Sequence, residues 1–153
     1  MSLEPIAWVA ALALSSSFVV SQGVRRAELD EATPIAPKAL YKLVSSPNVK
    51  LQIVDVRPDP SENYEDTHLP GAIPFPGCDS AGVDPTVMER ILRSVPTIVV
   101  SEDGDAEVFK TCTTYFTSAR NLEGGLEAWV DANLPEDSGE YIPPKPSAGG
   151  GCL

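Results

Sequence analysis

Short β-branched runs alternating with amphipathic helical stretches predict an α/β fold, a central parallel sheet with helices on both faces. Three observations carry this expectation. Leu51-Gln-Ile-Val-Asp-Val56 and Thr97-Ile-Val-Val100 are short apolar runs bounded by turn residues, as buried parallel strands are. Two helix starts, Asp84-Pro85 and an Asp105 N-cap, follow these strands in the chain. Finally, each helix start leads into apolar residues at three- and four-residue spacing.

The remaining elements fall around these. Pro37 suits the first position of a helix in which Leu40, Leu43 and Val44 share a face, and Ser45-Ser-Pro-Asn48 ends it. Pro58-Asp-Pro60 closes the strand ending at Val56. A short polar helical stretch over Ser61 to Asp66 and a turn at His68-Leu-Pro-Gly-Ala72 lead into a short strand, Ala72-Ile-Pro-Phe75. Its proline suits only an edge or a terminus. After Asp84-Pro85 the stripe is Val87, Met88, Ile91, Leu92 and Val95. After Asp105 it is Val108, Phe109, Cys112, Tyr115 and Phe116, running to about Ser118. Ala119 to Leu122 reads as a strand, Gly124-Gly125 as a turn, and Leu126 to Ala132 as a last helix burying Trp129.

Outside this core, residues 5–24 are uncharged and mostly apolar. At 1.5 Å per residue in a helix, about 20 residues span roughly 30 Å of hydrocarbon. The expected organisation is therefore a single N-terminal transmembrane helix within residues 1–26, a linker over 27–36, the α/β domain over 37–135, and a flexible Pro- and Gly-rich tail over 136–153. Arg25-Arg26 after the span places the domain on the cytoplasmic side by the positive-inside rule. A cleaved signal peptide with export, and a buried or partner-docking helix, are the alternatives for the same stretch.

Composition excludes several classes. With 22 acidic against 11 basic side chains, the formal charge is −11, which argues against nucleic acid as a partner. Cys78, Cys112 and Cys152 are odd in number and widely spaced, so they suggest neither a disulfide framework nor a zinc site. Cys112 lies on an apolar helix face and reads as a small buried hydrophobe. Cys78 sits in a loop, where it could be exposed. Cys152 has too few residues after it for a prenylation signal. Glu102-Asp-Gly-Asp105 lacks the ligand spacing of a calcium loop, so no metal site and no cofactor are expected.

In an open α/β sheet ligands bind outside the carboxyl ends of the strands, which directs attention to Ser101, Glu102, Asp103, Gly104 and Asp105 after the central strand. Arg57, at the end of the neighbouring strand, can pair with a loop acid. A Ser101 nucleophile would need a base, and the single histidine, His68, stands in the turn before a strand.

Four segments in this order resemble the rhodanese-like family: Ile53-Val-Asp-Val-Arg57, Tyr64-Glu-Asp-Thr-His-Leu-Pro-Gly-Ala72, Thr97-Ile-Val-Val100, and Asn121-Leu-Glu-Gly-Gly-Leu-Glu-Ala-Trp129 with Leu134-Pro135. The resemblance spans roughly Ile35 to Pro135. It implies a rhodanese-like fold for 37–135. It also implies a site in which sulfur-transferring members carry a cysteine at the end of the central strand, followed by a loop whose N–H groups cradle an anion. Ser101 stands at that cysteine position and Gly104 at the loop glycine. Glu102, Asp103 and Asp105 replace cationic or small residues. A serine cannot carry a persulfide, so no catalytic residue is expected. The loop and Arg57 become a partner-binding candidate instead. The expected protein is a membrane-anchored, non-catalytic rhodanese-like subunit of a larger membrane assembly, in contact with the bilayer through residues 5–24 and with other subunits through its domain. The alternatives are a sulfur carrier or sulfurtransferase using Cys78, an exported rhodanese-like protein, and a sensor whose acidic loop reads a cation or a basic peptide.

Overall fold

The computed structural model describes residues 33–145. Four short parallel strands form one sheet in the order β2-β1-β3-β4: β1 is Gln52–Asp55, β2 Ile73–Pro74, β3 Thr97–Val100 and β4 Ala119–Asn121. Helices α1 (Pro37–Val44), α2 (Pro85–Met88), α3 (Ala106–Thr113) and α4 (Gly125–Asp131) connect and flank them. The predicted parallel α/β architecture is present, with β3 central and buried along its whole length. Pro74 lies in an edge strand, where its missing N–H interrupts no ladder.

Strand alternation divides the core in two. Ile53, Ile98 and Val100 point to one side, where they meet Leu40 of α1 and Leu126 and Trp129 of α4. Val54, Val56 and Val99 point to the other, against Phe75, Ile91 and Phe116. Trp129 is 1% exposed, its indole N–H donates to the Pro135 carbonyl at 2.8 Å, and Tyr41 packs edge-on against it at 6.2 Å. The far edge of the sheet is closed by Ile35, which bridges to Leu122 and exchanges backbone bonds with Asn121 and Glu123.

Several expectations need correction. Of the α1 stripe only Leu40 is buried, while Leu43 and Val44 are 37% and 40% exposed. The helix is two turns long and meets α4 over a narrow contact, so one buried position is all it supplies. The stripe after Asp84 is not one helix. α2 ends at Met88, the chain turns, and Leu92 is 52% exposed. Beyond the turn Gln52 anchors the chain, its side chain accepting from the Leu92 N–H at 3.1 Å. Ser61 to Asp66 forms successive turns rather than a helix.

The cysteines are the largest correction. Cys78 and Cys112 form a disulfide, with Cα atoms 5.2 Å apart and a sequence separation of 34. Cys112 is fully buried as expected, but Cys78 is not an exposed loop thiol; it is 7% exposed. The short 3₁₀ turn Pro76–Cys78 carries it against α3. A link over that separation stabilises a small domain by about 3–4 kcal/mol on the chain-entropy account.

The segment after Pro135 also departs from the expected flexible tail. Asp137 and His68 exchange two backbone hydrogen bonds at 2.9 Å, Gly139 N–H donates to Glu65 O at 2.8 Å, and Tyr141 packs edge-on against Tyr64 at 6.4 Å. Residues 136–141 therefore belong with the packed domain. The proposed membrane span within 5–24 and the last eight residues lie outside the described residues. Among the described residues no helix is long and apolar enough to cross a membrane.

Tyr64 lies beneath this strap, 4% exposed, with its hydroxyl donating to Ala72 O at 2.7 Å. Burial, reinforced by Tyr141, Asp55 and Asp137, raises its pKa well above that of a free tyrosine. A raised folded-state pKa contributes stability that is fully present below the unfolded value near 10 and is lost as pH rises through the folded value. Urea midpoints should therefore decline above about pH 10, and Tyr64→Phe should weaken that decline. At neutral pH the same variant should lose about 1 kcal/mol for the bond to Ala72. A chain ending at Pro135 should lose roughly 2–4 kcal/mol through the strap's hydrogen bonds and the half-buried Tyr141 ring, read as a lower urea midpoint.

Candidate functional site

The turn from β3 into α3 is Ser101 to Asp105. It lies at the carboxyl end of the most buried strand, as the sheet's topology requires of a ligand crevice. A cleft of about 370 Å³ opens here, lined by Val56, Arg57, Asn63, Ser101 and the three loop acids, among others. The structure thus brings all six sequence-predicted site residues to one place, with Gly104 behind the cleft wall.

The loop's polar groups are spent on the loop itself. Ser101 is buried, and its Oγ accepts from the Gly104 N–H at 3.0 Å. Asp103 Oδ1 accepts from the Asp105 N–H at 3.1 Å. Asp105 caps α3, its Oδ1 accepting from the N–H groups of Glu107 and Val108 at 2.8 and 2.9 Å, as its position predicted. Four of the N–H groups of the loop and the first turn of α3 are thus held by side-chain oxygens of the loop.

The loop is also held from below. The carbonyls of Ser101 and Glu102 accept from the N–H groups of Leu126 and Glu127, the first turn of α4, at 2.9 and 3.0 Å. Those donors have no partner within their own helix, so the loop satisfies them. Backbone approaches backbone so closely that Gly125 has no room for a side chain. A Cβ there would collide with the Ser101 carbonyl and come within 2.6 Å of Glu102. Gly104, at φ +82°, faces Gly124 in the same way, 2.8 Å from its nitrogen if a Cβ were added. Asn121 at the end of β4 ties the loop to the sheet, donating from Nδ2 to the Gly104 carbonyl at 2.8 Å, while its buried Oδ1 has no partner.

Arg57 forms the opposite wall. Its guanidinium is almost fully buried and grips Asp55, Nη2 to Oδ2 at 2.7 Å and Nε to Oδ1 at 3.0 Å. It also donates to the Thr67 carbonyl at 2.6 Å and reaches Glu102 at 3.3 Å. Burial works to lower its pKa, but the hydrogen bonds and charge of Asp55, joined by Glu102, outweigh this and hold it above the ordinary arginine value. The expected pairing of Arg57 with a loop acid is present, yet Asp55 is its main partner. Asp55 was not foreseen, although an Asp two residues before an Arg at a strand end is a readable signal. Glu102 is about half exposed and adds little binding energy to the pair.

His68 serves no nucleophile. Its Nδ1 pairs with the Tyr64 carbonyl at 2.6 Å and its ring stacks on Tyr64 at 3.8 Å, in the turn where the sequence put it. Ser101 Oγ therefore has no histidine partner among the described residues. Among the described residues no group of three or more His, Cys, Asp or Glu side chains is arranged to hold a metal.

The family model described as Rhodanese-like domain matches residues 36–132. No curated protein matches. Similar solved structures include the BH2092 protein from Bacillus halodurans, 20% identical with a TM-score of 0.59, covering 76% of this chain and 85% of that one. The rhodanese-like domain of the Alr3790 protein from Anabaena is 20% identical with a TM-score of 0.56, covering 78% and 88%. A thiosulfate sulfurtransferase from Pseudomonas aeruginosa is 24% identical with a TM-score of 0.56; the match covers 72% of this chain and 20% of the longer enzyme. At these identities the likeness concerns the fold.

Three substitutions probe the geometry. Gly125→Ala should cost roughly 2–4 kcal/mol, because the methyl must push the loop's backbone away, and should shift the amide resonances of Ser101 to Asp105. Arg57→Ala should cost roughly 3–5 kcal/mol by leaving Asp55 buried without its partner. Arg57→Lys should recover only part of that loss, since an ammonium cannot reproduce the two-pronged grip. Chemical denaturation measures all three.

Proposed function

Since the chain belongs to the rhodanese-like domain family, we propose that it is a non-catalytic member, a recognition module whose acidic loop docks a basic segment of a partner protein. The observation that carries this is the loop's internal hydrogen bonding. Ser101, Asp103 and Asp105 occupy the N–H groups of Gly104, Asp105, Glu107 and Val108. Sulfur transfer in this family asks those donors to hold an anion beside a low-pKa thiol. Here a hydroxyl stands at the strand end with His68 bonded elsewhere, and three carboxylates oppose any anion. Thiosulfate would have to displace these bonds to reach the four N–H groups, and would find a hydroxyl in place of a sulfur nucleophile at the strand end.

What the loop does present is negative charge on a rigid support. Glu102, Asp103 and Asp105 are exposed, while the backbone beneath them is fixed to α4. Such a surface discriminates by charge complementarity and speeds encounter with cationic partners. Together with the uncharged residues 5–24, which suit a membrane anchor, this favours an accessory subunit of a membrane assembly over a free enzyme.

Two measurements test the proposal. The full chain should show no thiosulfate:cyanide sulfurtransferase activity above background; sustained turnover would overturn the non-catalytic assignment. Binding of a Lys/Arg-rich peptide should weaken about tenfold or more at low salt in the triple variant Glu102→Gln, Asp103→Asn, Asp105→Asn. The difference should shrink as salt rises, because exposed charges are screened over about 8 Å at physiological ionic strength. Asp105→Asn keeps a capping side chain, so α3 should persist. Equal binding by wild type and variant at low salt would remove the loop as the docking surface.

A further inference from the structure

We infer that the domain matures and works in an oxidising compartment, across a membrane from the reducing cytosol, with Cys78–Cys112 as a permanent crosslink behind the loop. The two residues are 7% and 0% exposed and sit among Val54, Phe75, Val99 and Phe116. Exchange requires a thiolate to reach one of the sulfurs, and redox-active pairs are accordingly accessible and set in electropositive surroundings. This one is enclosed in an apolar face that no thiolate enters cheaply. It has the environment of a structural bond rather than a catalytic or sensing one.

Its position gives it a task. Cys112 lies in α3, the helix that Asp105 caps at the end of the loop; Cys78 ends the turn that follows edge strand β2. The bond therefore ties the support of the loop to the edge of the sheet. Apart from it, α3 is held on this side by the packing of Val108, Phe109 and Cys112 and by little polar anchorage.

Formation of the bond balances by exchange with a donor disulfide. One cysteine thiolate attacks the donor and releases one donor thiol. The second cysteine then displaces the other, so two electrons and two protons pass to the donor, which leaves as a dithiol. Cytosolic thiol pools run this reaction backward, whereas exported compartments drive it forward. Arg25-Arg26 alone would favour the opposite orientation of the chain. Two flanking charges only bias insertion, while a buried disulfide needs an oxidant during folding.

The test uses the full chain carrying Cys152→Ala, so that only the two paired cysteines can react. Thiols are trapped by acid in the cells that make the protein, and the denatured chain is labelled with a maleimide polymer. No adduct should form unless the sample is first reduced, after which two should appear. Two adducts without reduction would overturn the inference. The purified chain, unfolded and refolded in dithiothreitol so that the buried bond is reduced, is also melted beside the oxidised chain, which avoids reliance on a Cys78→Ser/Cys112→Ser variant. Reduction should lower the midpoint by roughly 10–20 °C. An unchanged midpoint would overturn the structural role of the crosslink.

Discussion

Two backbone carbonyls, those of Ser101 and Glu102, accept the first free N–H groups of α4, and the site depends on that junction. It resolves two problems with one contact. The start of a helix carries N–H groups that need acceptors, and a loop at a strand end carries carbonyls that need donors. The solution demands contact closer than a side chain allows, which is why Gly125 follows Gly124 at the turn. Asn121 and Gly104 fasten the other flank of the loop. A loop held this firmly keeps its shape when its chemistry changes, so a site can lose a reaction and remain a well-formed surface.

The electrostatics of the cleft follow from the same rigidity. Arg57 faces the loop but is committed to Asp55 and the Thr67 carbonyl, leaving one edge for Glu102. Its positive charge is neutralised before it reaches the cleft. The outward field is therefore set by Glu102, Asp103 and Asp105, and the cleft is acidic even though an arginine forms its wall. A buried ion pair of this kind contributes little net stability, but removing one member strands the other. Such a wall fixes geometry rather than serving as an adjustable binding group.

Legibility followed the range of the interactions. β3, the Asp105 cap, the Asp84-Pro85 helix start and the edge position of Pro74 rest on neighbouring residues, and a sequence displays them directly. The family segments identified the fold because each is a local solution, such as the paired glycines under the loop. What escaped notice depended on distant partners. Leu92 carries an apolar side chain in a helical rhythm, but the helix stops at Met88 and Gln52, 40 positions earlier in the chain, bonds the Leu92 backbone instead. Cys78 and Cys112 show no pairing signal in their spacing, and meet only because Phe75 and Phe116 pack between the same elements. The strap from Glu136 to Tyr141 has the composition of a tail, and is ordered by backbone bonds to residues some 70 positions earlier. At the strand end the proximity of the six residues was legible, whereas the use of their polar groups on one another was not.

The most direct measurement of the central claim, that Ser101, Asp103 and Asp105 already hold four of the donors at this strand end, is a backbone amide titration by two-dimensional NMR with thiosulfate. The account predicts that the Gly104, Asp105, Glu107 and Val108 amides show no saturable shift up to millimolar anion, because each N–H is bonded within the loop or cap. Saturable shifts confined to those four amides would mean that the loop opens its donors to an anion, and would contradict it.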